Sequence, residues 1–179
     1  MVNRIEALTL QAEVRDRLTR VMDPEIPTCS IADLGLIERI EVTEDAVEVD
    51  LLPTFAGCPA LDVIERDVRA AVWELLIEAG QEREARVRFV YDPPWTTDRI
   101  SAAGEQNLRA YGISPAPHGF GGPVVISIAD VRSRVVLCPY CGSEDTNVES
   151  AFGPTPCRTT HFCSSCRNAF EGFKPKSIS

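Results

Sequence analysis

Two cysteine pairs constrain this chain more than any other feature: Cys138-Pro139-Tyr140-Cys141 and, further on, Cys163-Ser164-Ser165-Cys166. A two-residue spacer lets both sulfurs of a pair turn onto one ion, and two such knuckles supply a tetrahedral thiolate site. The segment that holds them is expected to fold as a four-cysteine ribbon. Few residues around the knuckles can form a core, so the metal supplies much of the folding free energy. Zinc is the expected ion because the set is closed and structural in type, although iron takes the same four ligands at the same spacing. Cys157 and His161 lie between the knuckles. Either can stand in as a fourth ligand, and Cys157, in Gly153-Pro154-Thr155-Pro156-Cys157, can equally be a free thiol with its own purpose. The outer four are the preferred ligands.

The chain has seven cysteines in 179 residues. An odd number without a secretion signal points to metal or redox use rather than a disulfide framework. No apolar run reaches the roughly 18 residues of a membrane span, and residues 1–10 lack the basic start and long apolar stretch of a signal peptide, so a cytoplasmic protein without a membrane partner is expected. Residues 1–111 carry 22 acids and 12 bases, and residues 112–179 carry 5 acids and 6 bases. Neither part is a basic patch, so a nucleic-acid partner is not expected.

Upstream of the knuckles, residues 5–22 set Ile5, Leu8, Val14, Leu18 and Val21 among charged residues, which predicts a helix with one buried face. Asp23-Pro24-Glu25-Ile26-Pro27 reads as a stiff, shaped loop, because the residue before each proline is pushed toward extended backbone. Asp33-Leu34-Gly35 turns into a strand over 36–42, Thr43-Glu44-Asp45-Ala46 reverses the chain, and 47–51 alternates as the antiparallel partner. That hairpin is expected to show one acidic face to water. A helix over 60–79 stops at Gly80, a third strand covers 85–91, and Asp92-Pro93-Pro94-Trp95 cannot continue a ladder. A last helix runs from Ser101, as N-cap, to Gly112. The expectation is an α/β (α+β) unit over residues 1–111, a small three-stranded mixed sheet covered by helices. A linker with short strands follows over 112–133, the strands placed at 124–128 and from 134 to 137, and His118 is a solvated loop residue. The zinc ribbon occupies 134–179.

Leu52-Pro53-Thr54-Phe55-Ala56-Gly57-Cys58-Pro59 joins the second strand to the long helix. Pro59 suits a first helical position, which makes Cys58 the expected N-cap, where unpaired N–H groups and the macrodipole favour a thiolate. The thiolate is a nucleophile and a metal ligand; a small half-buried residue filling a tight turn is the competing reading. Asp23 and Glu25 flank rigid Pro24 either as paired carboxylates or, preferably, as capping and loop hydrogen-bond acceptors. Cys29 reads as a small semi-buried residue. No phosphate loop, nucleophile elbow or His-Glu-x-x-His pattern is present, and no catalytic residue is expected.

Asp23-Pro24-Glu25-Ile26-Pro27, Asp33-Leu34-Gly35, Thr54 with Gly57-Cys58-Pro59, and Asp92-Pro93-Pro94-Trp95 occur in this order over about residues 6–111. In them the chain resembles the iron–sulfur cluster assembly family that includes SufT-like proteins. With the ribbon and the ending Ala169-Phe170-Glu171-Gly172-Phe173-Lys174, nearly the whole chain looks like the PaaD (PaaJ) family, D subunits associated with bacterial phenylacetyl-CoA epoxidase. The resemblance implies maturation rather than catalysis, with a transient iron–sulfur cluster or iron as cargo beside a structural zinc. Cys58 matches the family cysteine, and Asp23, Glu25 and Thr54 match the polar positions around it. Because one thiolate is too few, a cluster shared across a homodimer is expected. The implied partners are the epoxidase subunits, above all the iron–sulfur flavin reductase. Two other classes compete: a structural subunit that binds no cluster, and a thiol redox protein using Cys58 with Cys157 or Cys29.

Overall fold

The computed structural model describes residues 3–115 and 136–174. The first unit runs α1 (Arg4–Leu18), β1 (Met22–Asp23), β2 (Ile26–Ser30), β3 (Ile37–Val42), β4 (Ala46–Leu51), α2 (Leu61–Glu78), β5 (Glu84–Phe89), a 3-10 turn (Thr97–Arg99) and α3 (Ala102–Ala110). Its main sheet has the order β3-β4-β5, with β3 antiparallel and β5 parallel to β4, so the expected three-stranded mixed sheet is present. α1 packs on β3, α2 packs on β5, and the two helices touch, which places both on one face. α1 buries Leu10, Val14 and Leu18, and α2 buries Ile64, Val68, Val72 and Leu76, each set recurring every four residues as a helix stripe requires. Two helix expectations need correction. α1 ends at Leu18 rather than 22, and Ile5 and Leu8 are exposed, the buried stripe beginning at Leu10. The stretch expected as a stiff, shaped loop at 23–27 belongs instead to a β1–β2 hairpin.

Strand register also changes the character of the sheet's open face. Arg39, Asp50 and Arg88 form one cross-strand row, and Glu41, Glu48 and Arg86 the next. Asp50 accepts from Arg39 Nε at 2.9 Å and from Arg88 Nε at 2.7 Å, while Arg39 also pairs with Glu41. The face that looked acidic in the hairpin is therefore a mixed ladder once β5 supplies its arginines. Burial pushes the Asp50 carboxyl up, but the hydrogen bonds from Arg88 and Arg39 outweigh it and hold its pKa below the usual value. A depressed carboxylate contributes stability above its unfolded pKa and loses it as the pH falls through the folded one. Asp50→Asn is expected to cost about 1 kcal/mol at pH 7, since both arginines stay largely hydrated. In urea titrations the gap between the two proteins should close only below about pH 4; a gap independent of pH would show that the ion pairs are not its source.

The second unit is built on β6 (Ile113–Ser114), β7 (Thr146–Ser150), β8 (Arg158–Cys163) and β9 (Ala169–Phe173), in the order β6-β9-β8-β7. β6 leaves the end of α3 and pairs in parallel with β9, so one strand of the ribbon's sheet is an extension of the first unit. Phe173 and Cys157 belong to the same apolar cluster as the first unit's core, whereas Cys138, Cys163 and Phe170 form a small cluster of their own. Trp95 sits at this joint, 1% exposed, its Nε1 donating to the Leu34 carbonyl at 2.8 Å and its ring 5.8 Å from that of Phe173. His118 and the strand expected at 124–128 lie outside the described residues. So does the start of the strand expected at 134–137, and Val136 and Leu137 are not in a strand.

Candidate functional site: a two-thiol pocket and a four-thiolate knuckle pair

The ribbon's four knuckle sulfurs lie within 4.8 Å of one another. Cys138 Sγ is 3.6 Å from Cys166 Sγ, and Cys141 Sγ is 3.6 Å from Cys163 Sγ. These separations are far beyond an S–S bond and close to the edge of about 3.8 Å that a tetrahedron with metal–sulfur bonds of about 2.3 Å requires. The two knuckles repeat one backbone pattern. Gly142 N donates to Cys138 O at 2.9 Å and Arg167 N to Cys163 O at 2.8 Å, with Gly142 and Arg167 both at positive φ, 72° and 61°. Cys138 N donates to Ser143 O and Cys163 N to Asn168 O, each at 3.0 Å. N–H groups thereby turn toward the sulfurs, and Asn168 Nδ2 reaches Cys166 Sγ at 3.5 Å, lowering that thiol to about 6. The donor set fits a tetrahedral thiophilic ion held by Cys138, Cys141, Cys163 and Cys166.

His161 is occupied elsewhere. It is buried on β8, stacked on Phe170 at 5.1 Å between ring centroids, with Nε2 2.8 Å from Thr159 Oγ1. Thr159 spends its one hydroxyl proton on Gly172 O at 3.0 Å, so Nε2 carries the proton and donates. Burial pushes the imidazole pKa down, which keeps the ring neutral. Cys157 is likewise absent from the knuckle cluster.

A second cluster forms at the joint. One small pocket is lined by Asp23, Glu25, Thr54, Cys58, Cys157 and Arg158, with Ile64 and Phe173 among its apolar walls. Asp23 is in place because its Oδ1 accepts from Glu25 N at 2.8 Å and Ile26 N at 2.9 Å, the local turn that shapes the β1–β2 tip. Burial raises the Asp23 carboxyl, against those two N–H groups and Arg158. Burial also raises Glu25, reinforced by Asp23 and opposed by Arg158.

Cys58 differs from its expected setting. α2 begins at Leu61 with Ala60 as N-cap, and Cys58 occupies the preceding turn, its N–H donating to Phe55 O at 3.1 Å and its carbonyl accepting from Leu61 N at 3.3 Å. Burial raises the thiol pKa above its ordinary value; the Ala60 N–H acts against this, while Glu25, Cys157 and Asp23 add to the rise. The helix-terminal stabilisation of a thiolate is thus outweighed by burial and by neighbouring negative groups. Cys29 lies under α3 with Sγ 3.7 Å from Gly104 O, does not line the pocket, and is pushed up to about 11 by burial.

Arg158 has no counterpart among the residues singled out from sequence. Its Nη1 donates to Glu171 Oε2 at 2.7 Å and its Nη2 to the Glu25 carbonyl at 3.1 Å, clasping the hairpin tip to the ribbon. Its position directly after Cys157 was the only local signal. The motif Asp33-Leu34-Gly35 is structural: Asp33 accepts from Ser30 Oγ at 2.8 Å and Ser101 Oγ at 2.9 Å, tying β2 to the cap of α3. Gly35, at φ 66°, leaves room for Arg99 O, which a Cβ would meet at 2.3 Å.

Comparison with known proteins parallels this two-part construction. Residues 11–80 match the family model described as iron–sulfur cluster assembly protein, and residues 126–174 match the PaaD zinc beta ribbon domain. An Escherichia coli (strain K12) protein, the D subunit of a "Putative 1,2-phenylacetyl-CoA epoxidase" by name, is 33% identical over 162 residues, covering 90% of this chain and 91% of the relative. The Staphylococcus aureus (strain USA300) Fe-S protein maturation auxiliary factor SufT is 34% identical over 82 residues, 45% of this chain and 88% of the relative. The crystal structure of a domain of unknown function from Bacillus anthracis superposes with a TM-score of 0.53 at 25% identity, covering 59% of this chain and 97% of that one.

Proposed function

This chain belongs to the PaaD family of 1,2-phenylacetyl-CoA epoxidase D subunits, and on that premise we propose that it loads iron or an iron–sulfur cluster into the epoxidase subunits, with Cys58 as the thiolate that holds the cargo. The reductase, an iron–sulfur flavoprotein in the PaaD systems this chain resembles, is the proposed client, and zinc the proposed ion of the ribbon. One observation carries this reading: Asp23, Glu25, Thr54 and Cys58, which come from two separate stretches of sequence, line one pocket. A protonated thiol beside two carboxylates of raised pKa suits a carrier. Cys58 gives up its proton only when metal arrives, and reprotonation of the thiol assists release. Asp23 and Glu25 offer oxygen donors or polarise a bound ligand, and Thr54 offers a hydroxyl at the rim. Iron uptake is therefore expected to climb with pH across the neutral range, roughly tenfold per unit for each proton displaced.

The test uses the zinc-loaded full-length protein, reconstituted anaerobically with iron and sulfide and mixed with apo-reductase. The wild type should transfer metal and restore the reductase's visible absorption. Cys58→Ala should keep its zinc but bind at least about tenfold less iron and lose transfer. Equal iron content and equal transfer in the two proteins would return Cys58 to a packing role and leave a structural subunit as the function.

A further inference from the structure

We infer that the ribbon completes the iron site: Cys157 supplies a second thiolate beside Cys58, Arg158 supplies the buried cation next to it, and the cargo so held is a single ferrous ion within one chain. The inference rests on the reading of Cys58 as a metal carrier and adds to it the second ligand and the nuclearity of the cargo.

Cys157 is a thiol without a task in the ribbon. The four knuckle sulfurs form a complete ligand set without it, and it packs in the first unit's core rather than the ribbon's. It is 7% exposed and held in place at the start of β8, where its carbonyl accepts from Lys174 N at 2.9 Å and its sulfur lies 3.2 Å from Thr155 Oγ1. It lines the same pocket as Cys58, near enough that a thiolate at Cys157 opposes ionisation of Cys58. A divalent cation that takes both sulfurs offsets that opposition at Cys58.

Arg158 is the independent pointer to a charged guest. It is 4% exposed, and its Nε is buried with no acceptor among the described residues, although Nη1 and Nη2 are both engaged. A buried guanidinium N–H without a partner is unusual in a folded protein. A dithiolate–iron centre against the same wall of the pocket adds the negative sulfur density that such a group lacks. Glu25 is among the residues that line the pocket, and its backbone carbonyl holds Arg158 Nη2.

Size selects the cargo. The pocket has about 10 Å³ of room, roughly that of one water molecule. It takes one ion as folded, whereas an iron–sulfur rhomb with its bridging sulfides requires the walls to move apart. With two thiolates from one chain, sharing between protomers is no longer needed to provide the second ligand. On binding, Fe(II) forms two Fe–S bonds, each thiol passes its proton to solvent, and no redox change is involved.

The test titrates zinc-loaded full-length protein anaerobically with Co(II) as the spectroscopic probe and, separately, with Fe(II) with and without sulfide. Zinc outcompetes cobalt in the ribbon, so the added ion reports the pocket. Wild type should take up one ion per chain. Cys157→Ser and Cys58→Ser should each bind at least about tenfold more weakly, with thiolate-to-cobalt charge-transfer absorption near half that of wild type. Arg158→Lys should keep its zinc and both thiolates but weaken the site. A Cys157→Ser protein with wild-type spectrum and affinity, beside a Cys58→Ser protein that binds nothing, overturns the second ligand and leaves the carrier reading intact. Both serine variants behaving as wild type overturns the carrier reading itself. Iron taken up with equimolar labile sulfide overturns the single-ion cargo.

Discussion

Stripping the ribbon of its metal, or replacing Cys138 or Cys163 with serine, is expected to unfold the ribbon and, with it, the pocket at the joint. The ribbon's own apolar cluster has only Cys138, Cys163 and Phe170 as buried members among the described residues, and two of the three are metal ligands. Structural zinc in such small units contributes on the order of 10–16 kcal/mol of apparent binding free energy, far more than this core can replace. Once β8 and β9 lose their geometry, Cys157, Arg158 and Phe173 withdraw from the first unit, and Trp95 loses the ring 5.8 Å away. The chain has two tryptophans, and Trp73 is already exposed, so a red shift of emission on chelation reports Trp95. Iron uptake at the joint should fall in parallel with that shift. Unchanged emission and circular dichroism after complete zinc removal would mean that the joint holds the ribbon without its ion.

Trp95→Ala should be the most costly single substitution outside the ribbon's ligands. Removing a fully buried indole costs about 3–5 kcal/mol through lost burial and the cavity left behind. The Leu34 carbonyl also loses its donor, at a cost of about 1 kcal/mol or more. Trp95→Phe separates the two contributions, because it retains most of the packing and loses only the N–H. Urea unfolding should place the alanine variant several kcal/mol below wild type and the phenylalanine variant at an intermediate value. The alanine variant should retain one zinc per chain while its iron uptake falls, since Phe173 bounds both the indole and the thiol pocket. A loss below about 1 kcal/mol for Trp95→Ala would remove Trp95 from its position as the keystone of the joint.

The stops and starts of the elements were largely legible in the chain. Ser101 caps α3, its side chain accepting from Gly104 N at 2.9 Å, and Gly80 ends α2 at a φ of 62°. The alternation at 47–51 and 85–91 produced β4 and β5, with β5 ending at Phe89 rather than 91, and the four knuckle cysteines gathered as their spacing predicts. Less legible were features that depend on what a residue faces. Ile5 and Leu8 fit a helix stripe but stay exposed, and the acidic face of the hairpin became a paired ladder only when β5 brought in Arg86 and Arg88.

What the sequence determined by itself is the local geometry: the strands of the hairpin, the helix ends, the knuckles and their tetrahedral sulfur set. These follow from interactions between residues a few positions apart, or from a spacing that holds wherever the segment sits. Tertiary structure decided the character of the thiols. It set Cys58 in a turn among Glu25, Asp23 and Cys157, where burial outweighs the helix end, and it brought Cys157 and Arg158 to that turn from the far side of the chain. Arg158 meets the Glu25 carbonyl across 133 residues of sequence. A pKa or a ligand set sums desolvation and charge over everything packed within a few ångströms, and the chain's local pattern carries no record of which distant segment will arrive there.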